Sequence, residues 1–189
     1  MIFFEKENAV PDDVMRQINH HVLTNANFPF YFRPTYTTKN FPFFSHSLMP
    51  RIELEDETPR TSEYFPFWND IAVRFAYENG INITKMMRAN VNATIHHPVP
   101  FSEPHVDYTE NHYVVIIYLN DCDGDTIIFD KTYDTGPTYL SVEDGLELGI
   151  VKKVTPKAGK ILLFDGKYFH TNEFPSPGQF RFICAFLCS

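Results

Sequence analysis

Apolar positions along this chain change period more than once, and each change predicts a different kind of element. Val14, Met15, Ile18, Val22 and Leu23 recur at helical spacing behind the start signal Pro11-Asp12-Asp13. That predicts a short amphipathic helix over residues 12–24, preceded by a short strand at residues 2–4. Periodicity then lapses across residues 27–61, where Pro29, Pro34, Pro42, Pro50 and Pro59 stand among many aromatics. Such proline density forbids a long helix, and the aromatic density argues against a disordered linker. Ordered, mostly extended structure is expected there, placed to cover a pocket mouth. His46 and the acidic run Glu53, Glu55, Asp56 and Glu57 read as parts of a solvated edge. Helical spacing returns in Trp68, Ile71, Ala72, Phe75 and Ala76, with Ser62-Glu63 as the expected cap and Asn79-Gly80 as the stop. Trp68 reads as packing.

From residue 84 onward the pattern is that of strands. Residues 86–95 form one, broken by Pro98 and Pro100. Residues 113–119 (YVVIIYL) are a nearly continuous apolar run, as a strand buried on both faces requires. A turn at residues 121–125 leads into a strand at 126–129, and residues 130–150 read as loop with room for a short hairpin. Further short strands are expected at 152–154, 160–164, 169–171 and 181–187. The fold class that follows is mainly β (α+β), a single domain over residues 1–189. Its jelly-roll core, a double-stranded β-helix, is expected over about residues 86–189, braced by the helices of the first 85.

Composition narrows the function. The chain has 189 residues, a net charge of −8 and a pI near 5.4, so its bulk field repels nucleic acid and anionic membrane. Lys152, Lys153, Lys157 and Lys160 are its one basic cluster and read as a solvated strand face. The three cysteines, Cys122, Cys184 and Cys188, lack a CxxC pair and read as free thiols of a reducing compartment. The N-terminal residues lack a signal-peptide pattern and no apolar run reaches bilayer length, so a cytoplasmic location is expected.

Chemistry concentrates at His105-Val106-Asp107. Two residues apart on an extended segment, His105 and Asp107 point the same way. A second imidazole from a distant strand would complete the two-histidine, one-carboxylate face of non-haem iron(II) oxygenases. His170, 63 residues after Asp107, is the candidate. Arg181 follows it by 11 residues at the start of an apolar strand, where a guanidinium needs an anion to justify its burial. The plainer reading makes both histidines satisfied barrel residues and pairs Arg181 with Asp165 or Glu173. The adjacent His20 and His21 on the first helix point apart and read as surface or half-buried groups rather than metal ligands.

The ordered set FSEPHVDY (101–108), IIYLN (116–120), DGDTIIF (123–129), KAGKILLF (157–164), FH (169–170) and PGQFRF (177–182) resembles the 2-oxoglutarate and iron(II)-dependent oxygenases, most nearly their prolyl 4-hydroxylase-like branch. The likeness covers roughly residues 90–189. It implies His105, Asp107 and His170 as the catalytic iron ligands and Arg181 as the partner of the distal carboxylate of 2-oxoglutarate. Tyr118 and Thr126 would assist that contact. His96, nine before His105, stands near the place where prolyl hydroxylases often carry a tyrosine that touches the co-substrate; a polar strand end is its plainer reading. Fe(II), 2-oxoglutarate and O2 are the implied cofactors and co-substrates, with ascorbate as a candidate auxiliary. The implied reaction hydroxylates an unactivated C–H, a prolyl residue in a peptide or protein being one target, and releases succinate and CO2.

Two alternatives stay open on the sequence. One keeps this chemistry but applies it to a free amino acid or small metabolite. The other is a cupin-like metal-binding jelly-roll that does not use 2-oxoglutarate. A nucleic-acid demethylase of related fold is disfavoured by the acidic charge.

Overall fold

Alternation sorts the side chains of nearly every central strand into two layers, and that sorting builds the molecule. The computed structural model describes residues 2–35, 41–51 and 61–189; the acidic run at 53–57 lies outside them. The first elements are β1 (Phe3–Lys6), α1 (Asp12–Ile18), β2 (Tyr31–Arg33), β3 (Phe43–Met49), α2 (Phe65–Glu78) and β4 (Met86–Thr94). They are followed by β5 (Tyr113–Tyr118), β6 (Thr126–Thr132), α3 (Val142–Leu146), β7 (Ile150–Val154), β8 (Ile161–Asp165), β9 (Tyr168–Asn172) and β10 (Arg181–Cys188). Seven strands form an antiparallel sheet in the order β1-β8-β5-β10-β4-β3-β2, and three form a second in the order β7-β6-β9.

On β5, Val115 and Ile117 face one way, joined by Leu163 of β8 and Phe186 of β10; they share one buried cluster with Ile18, Val22, Trp68, Ala72 and Phe75. Val114, Ile116 and Tyr118 face the other way and meet Ile128 and Val154 of the smaller sheet, with Leu162, Phe164, Ile183 and Leu187. A period of two thus puts helices behind the large sheet and the small sheet in front of it. On the small sheet's other face Ile127, Phe129 and Phe169 are covered by Phe101, Val106 and Val142. The segment 101–106 runs antiparallel to β9 and extends that sheet: Ser102 N donates to Asn172 O at 3.0 Å, and His105 and His170 exchange backbone hydrogen bonds at 2.9 and 3.0 Å.

Several expectations change at the element ends. The first helix is α-helical only to Ile18; residues 19–23 widen into a π turn closed by Thr24, which donates its N–H and hydroxyl to Asn19 O, both at 2.9 Å. The second helix starts at Phe65 with Pro66 in its first turn, because Ser62 caps a preceding turn instead: Phe65 N donates to Ser62 O at 2.9 Å. Gly80, at φ 77°, ends that helix as a left-handed residue can. Within residues 130–150 the expected loop holds β6 to Thr132 and the short α3, whose Ser141–Asp144 capping box supplies the start signal. Among the described residues no helix is long and apolar enough to cross a membrane.

Two surface readings are overturned. His46 is buried, because β3 is an interior strand between β2 and β4; its Nδ1 and Nε2 lie 2.9 Å from Pro29 O and 2.8 Å from Ser62 Oγ. Of the lysines, three keep half-exposed side chains while pairing at the surface, Lys152 with Glu5 at 3.0 Å, Lys153 with Glu173 at 2.7 Å and Lys157 with Asp121 at 2.9 Å, and only Lys160 departs from the solvated reading. Lys160 is only 4% exposed, held by Glu5 at 3.1 Å and by Thr155 O at 2.9 Å. Cys122, Cys184 and Cys188 are free thiols.

Candidate active site

β9 and the segment beside it place one histidine each at the same level of the cleft between the sheets. His105 and His170 sit opposite one another in the extended pairing, with ring centroids 4.7 Å apart. Asp107, two residues on, turns its carboxylate back toward them, and ligand atoms of all three lie within 4.8 Å of one another. Each imidazole is oriented by the chain itself. His105 Nδ1 lies 3.0 Å from Glu103 O, and His170 Nδ1 lies 3.0 Å from Tyr168 O. A carbonyl only accepts, so each Nδ1 carries the proton and each Nε2 is left with its lone pair.

That tautomer tests the fit to a metal. His170 Nε2 faces Asp107 Oδ2 at 3.2 Å. Two lone pairs cannot face each other at that distance unless a proton or a cation lies between them. Without a metal the charges show the same tension. Burial and the neighbouring His170 push the His105 imidazole down to about 4. Burial pushes the Asp107 carboxyl up, but its side-chain contact with His170 and the neighbouring charges outweigh it and hold the group well below the usual carboxylate range. Two imidazoles and a carboxylate with open space before them suit iron(II).

The cavity in front of this group, about 100 Å3, ends at Arg181. The guanidinium is 1% exposed, donating from Nε to Gly124 O at 2.8 Å and from Nη2 to Thr126 Oγ1 at 2.7 Å. Nη1 is buried with no partner. Arg181 forms no ion pair with any carboxylate among the described residues; Glu173 is taken by Lys153, and Asp165 Oδ1 accepts from Lys167 N at 3.1 Å. A buried cation with one unused N–H edge is the cradle an oxyanion would fill. Tyr118 OH stands 2.7 Å from Thr126 Oγ1, and its ring lies 5.8 Å from the guanidinium carbon. Burial pushes its phenol well above the usual range, so it remains a neutral hydroxyl. His96 does not join this group: β4 ends at Thr94, and its Nδ1 lies 3.0 Å from Pro175 O outside the cavity lining.

Several lining residues went unread in the sequence. Arg88, Asn90 and Asn92 face the cavity from β4, while Ala89 and Val91 between them are fully buried on the helix side. The strict alternation of residues 88–94 (RANVNAT) is the signal that would have found them. Tyr139 stacks on His105 with centroids 5.7 Å apart at 22°, from a loop with no distinguishing pattern.

No protein-family model matches the chain, and no curated protein does. Solved structures do. An oxidoreductase of the 2OG-Fe(II) oxygenase family from Burkholderia pseudomallei matches 100% of this chain and 84% of its own, with 13% identity and a TM-score of 0.67. The fold is that of the 2-oxoglutarate and iron(II)-dependent oxygenases. A prolyl hydroxylase from Trichoplax adhaerens, solved with a hypoxia inducible factor peptide, aligns over 98% of this chain and 82% of its own at 14% identity and TM-score 0.62. The alpha ketoglutarate dependent epimerase SnoN of nogalamycin biosynthesis aligns over 99% and 77% at 13% identity and TM-score 0.63.

Proposed function

We propose that this protein is a 2-oxoglutarate and iron(II)-dependent dioxygenase that hydroxylates an unactivated C–H bond, releasing succinate and CO2. One observation carries the reading: the buried, acid-free Arg181, with its unpaired Nη1, closes the cavity that His105, Asp107 and His170 open onto. A metal-only jelly-roll would have no use for that cation.

His105, Asp107 and His170 would hold the iron, and Arg181 with Thr126 and Tyr118 would hold the distal carboxylate of 2-oxoglutarate. Bound there, the metal and co-substrate supply dioxygen activation coupled to decarboxylation. The chain's own part is positional. The Glu103 and Tyr168 carbonyls lock both imidazoles in the ligating tautomer. Val114, Ile116, Ile183 and Leu187 form the apolar wall that limits water around the reacting groups. Arg181 is pre-set by Gly124 O and Thr126 Oγ1, so little ordering remains when an anion arrives.

A peptide-binding prolyl hydroxylase and an epimerase share this fold at nearly equal similarity. The shared architecture therefore speaks for the co-substrate chemistry, and the pocket walls decide the substrate; proline-containing peptides are the first to screen. The deciding experiment adds iron(II), then 2-oxoglutarate, without oxygen, and follows the weak visible charge-transfer band of the chelate in wild type, His170→Ala and Arg181→Ala. A band present only in wild type supports the assignment, and succinate release on admitting oxygen, with and without ascorbate, completes it. Tight iron binding with no band would turn the reading toward the cupin-like alternative.

A further inference from the structure

Three arginines bear on the site in a protein of net charge −8: Arg88 and Arg181 line the cavity, Arg51 reaches Asp107 from outside that lining, and among the described residues the lining holds one carboxylate, Asp107. Arg181 is accounted for by the co-substrate. The other two converge on Asp107. Arg51 Nη2 donates to the Asp107 backbone carbonyl at 2.7 Å, so it leaves the carboxylate itself uncompensated. Arg88 Nη1 is 3.8 Å from Asp107 Oδ1, the far edge of ion-pair range, while Oδ2 is engaged by His170 at 3.2 Å. With the Asn90 amide turned so that its oxygen meets the guanidinium, Oδ1 accepts from Arg88 Nε at 2.8 Å and Nη2 at 3.0 Å, and its NH2 donates to Ala89 O at 3.0 Å. Arg88 is thus braced from β4 like a group built to receive something, with its side chain 37% exposed to the cavity mouth. Tyr139 closes the far side of the same mouth, its ring on His105 and 39% of it exposed.

We propose that the substrate presents a carboxylate to Arg51 and Arg88, which anchor it at the cavity mouth beside the Tyr139 ring. Charge neutralisation of Asp107 alone does not account for both guanidiniums, since one ignores the carboxylate and the other barely reaches it. A carboxylate between two fork-shaped donors would gain directional, charge-assisted hydrogen bonds and fix which carbon faces the iron ligands. This rests on the oxygenase reading, and the test separates the two.

The protein is loaded with manganese(II) and saturating 2-oxoglutarate, so that Arg181 is occupied. N-acetyl-L-proline and N-acetyl-L-alanine are then compared with their amides by paramagnetic relaxation of the probe protons, which reports approach to the metal without turnover. A parallel pair of short peptides carries Asp or Asn next to a central proline. The acids are expected to relax and the amides not. Arg51→Gln and Arg88→Gln should each weaken the effect at least about tenfold, as loss of a charged hydrogen bond does. Arg88→Lys should restore part of it. Both arginines are partly exposed, and unchanged thermal midpoints would show that the variants fold. Relaxation by the Asp peptide alone would place the carboxylate on a peptide, and by the acetylated acids alone on a small metabolite; either supports the proposal. Equal relaxation of acid and amide, none from any probe, or unchanged behaviour of both Gln variants would overturn it. Calorimetry of 2-oxoglutarate is run separately: acids that relax in a protein that does not bind 2-oxoglutarate would sink the oxygenase reading and leave this site standing.

Discussion

Replacing Arg181 with methionine separates what the guanidinium does for the fold from what it does for the ligand. Two buried acceptors lose a donor, Gly124 O and Thr126 Oγ1, although Thr126 keeps Tyr118 OH at 2.7 Å. Each lost donor costs about 1–3 kcal/mol. Against this, a 1%-exposed cation with no carboxylate partner is removed, which relieves a desolvation cost of several kcal/mol. The two contributions oppose each other, so ligand-free stability should change little. Binding should not share that fate. Two charge-assisted contacts to the distal carboxylate are together about 3–6 kcal/mol, a loss of roughly a hundredfold to ten-thousandfold in 2-oxoglutarate affinity. At 100 times its Kd the ligand stabilises wild type by about 2.7 kcal/mol, whereas a hundredfold weaker variant at the same concentration gains only about 0.4 kcal/mol. Urea unfolding of the metal-loaded protein with and without 2-oxoglutarate, alongside calorimetry, measures both halves. A folded Arg181→Met protein that 2-oxoglutarate stabilises as much as wild type would refute the argument.

Gly124→Ala should disturb the same guanidinium from behind, since a Cβ there would lie 2.9 Å from Glu173 O and 3.2 Å from Arg181 Cδ. We expect 2-oxoglutarate binding to weaken about tenfold with metal affinity unchanged, both by calorimetry. Glu5→Gln leaves the Lys160 ammonium with Thr155 O and the exposed Glu7 at 3.4 Å, and should cost about 1–3 kcal/mol in urea; no change would mean the pair is idle. For the metal-free protein the sign of the pH effect follows from His105, driven down to about 4 from an ordinary 6.5 by burial and by His170. The unfolded chain therefore takes up a proton that the folded one refuses, so stability is lost as pH falls from about 6.5 to about 4, by at most about 3 kcal/mol. Asp107, held below its ordinary range, adds a further loss in stronger acid. Unfolding free energies across this range should show the slope in wild type, and His105→Gln should flatten its upper part.

What the sequence disclosed was whatever a single local period could encode. The run at 113–119 showed strand β5, and the helical stripe through Trp68 and Phe75 showed α2, because both bury a repeating face. β3 was missed as an interior strand. Residues 43–49 (FFSHSLM) alternate too weakly against the prolines around them, and what makes His46 a core residue is its pairing to Pro29 O and Ser62, which no local pattern carries. Lys160 was misread for a related reason. A lysine beside a turn looks solvated until Glu5, 155 residues away in sequence, comes to meet it. His105 and Asp107 could be put on one face from their spacing alone; that His170 lies opposite follows from the backbone pairing with β9, which is tertiary information.

β4 shows where local and tertiary information meet. On β5, β8 and β10 both faces are chiefly apolar, since each strand lies between the helices and the smaller sheet. On β4 the helix-side positions Ala89 and Val91 obey that rule, but the alternate positions are Arg88, Asn90 and Asn92. Burying two amides on the inner face of a sheet, with a half-exposed guanidinium beside them, costs stability unless they find partners. Ser45 Oγ supplies one, donating to Asn92 Oδ1 at 2.8 Å, and Arg88 with Asn90 supplies another. The smaller sheet closes over the apolar strands and stops short of this one, so the polar stripe is left facing the cavity. A two-sheet sandwich that placed leucines at 88, 90 and 92 would pack shut. The polar alternation keeps it open beside the His105–Asp107–His170 group.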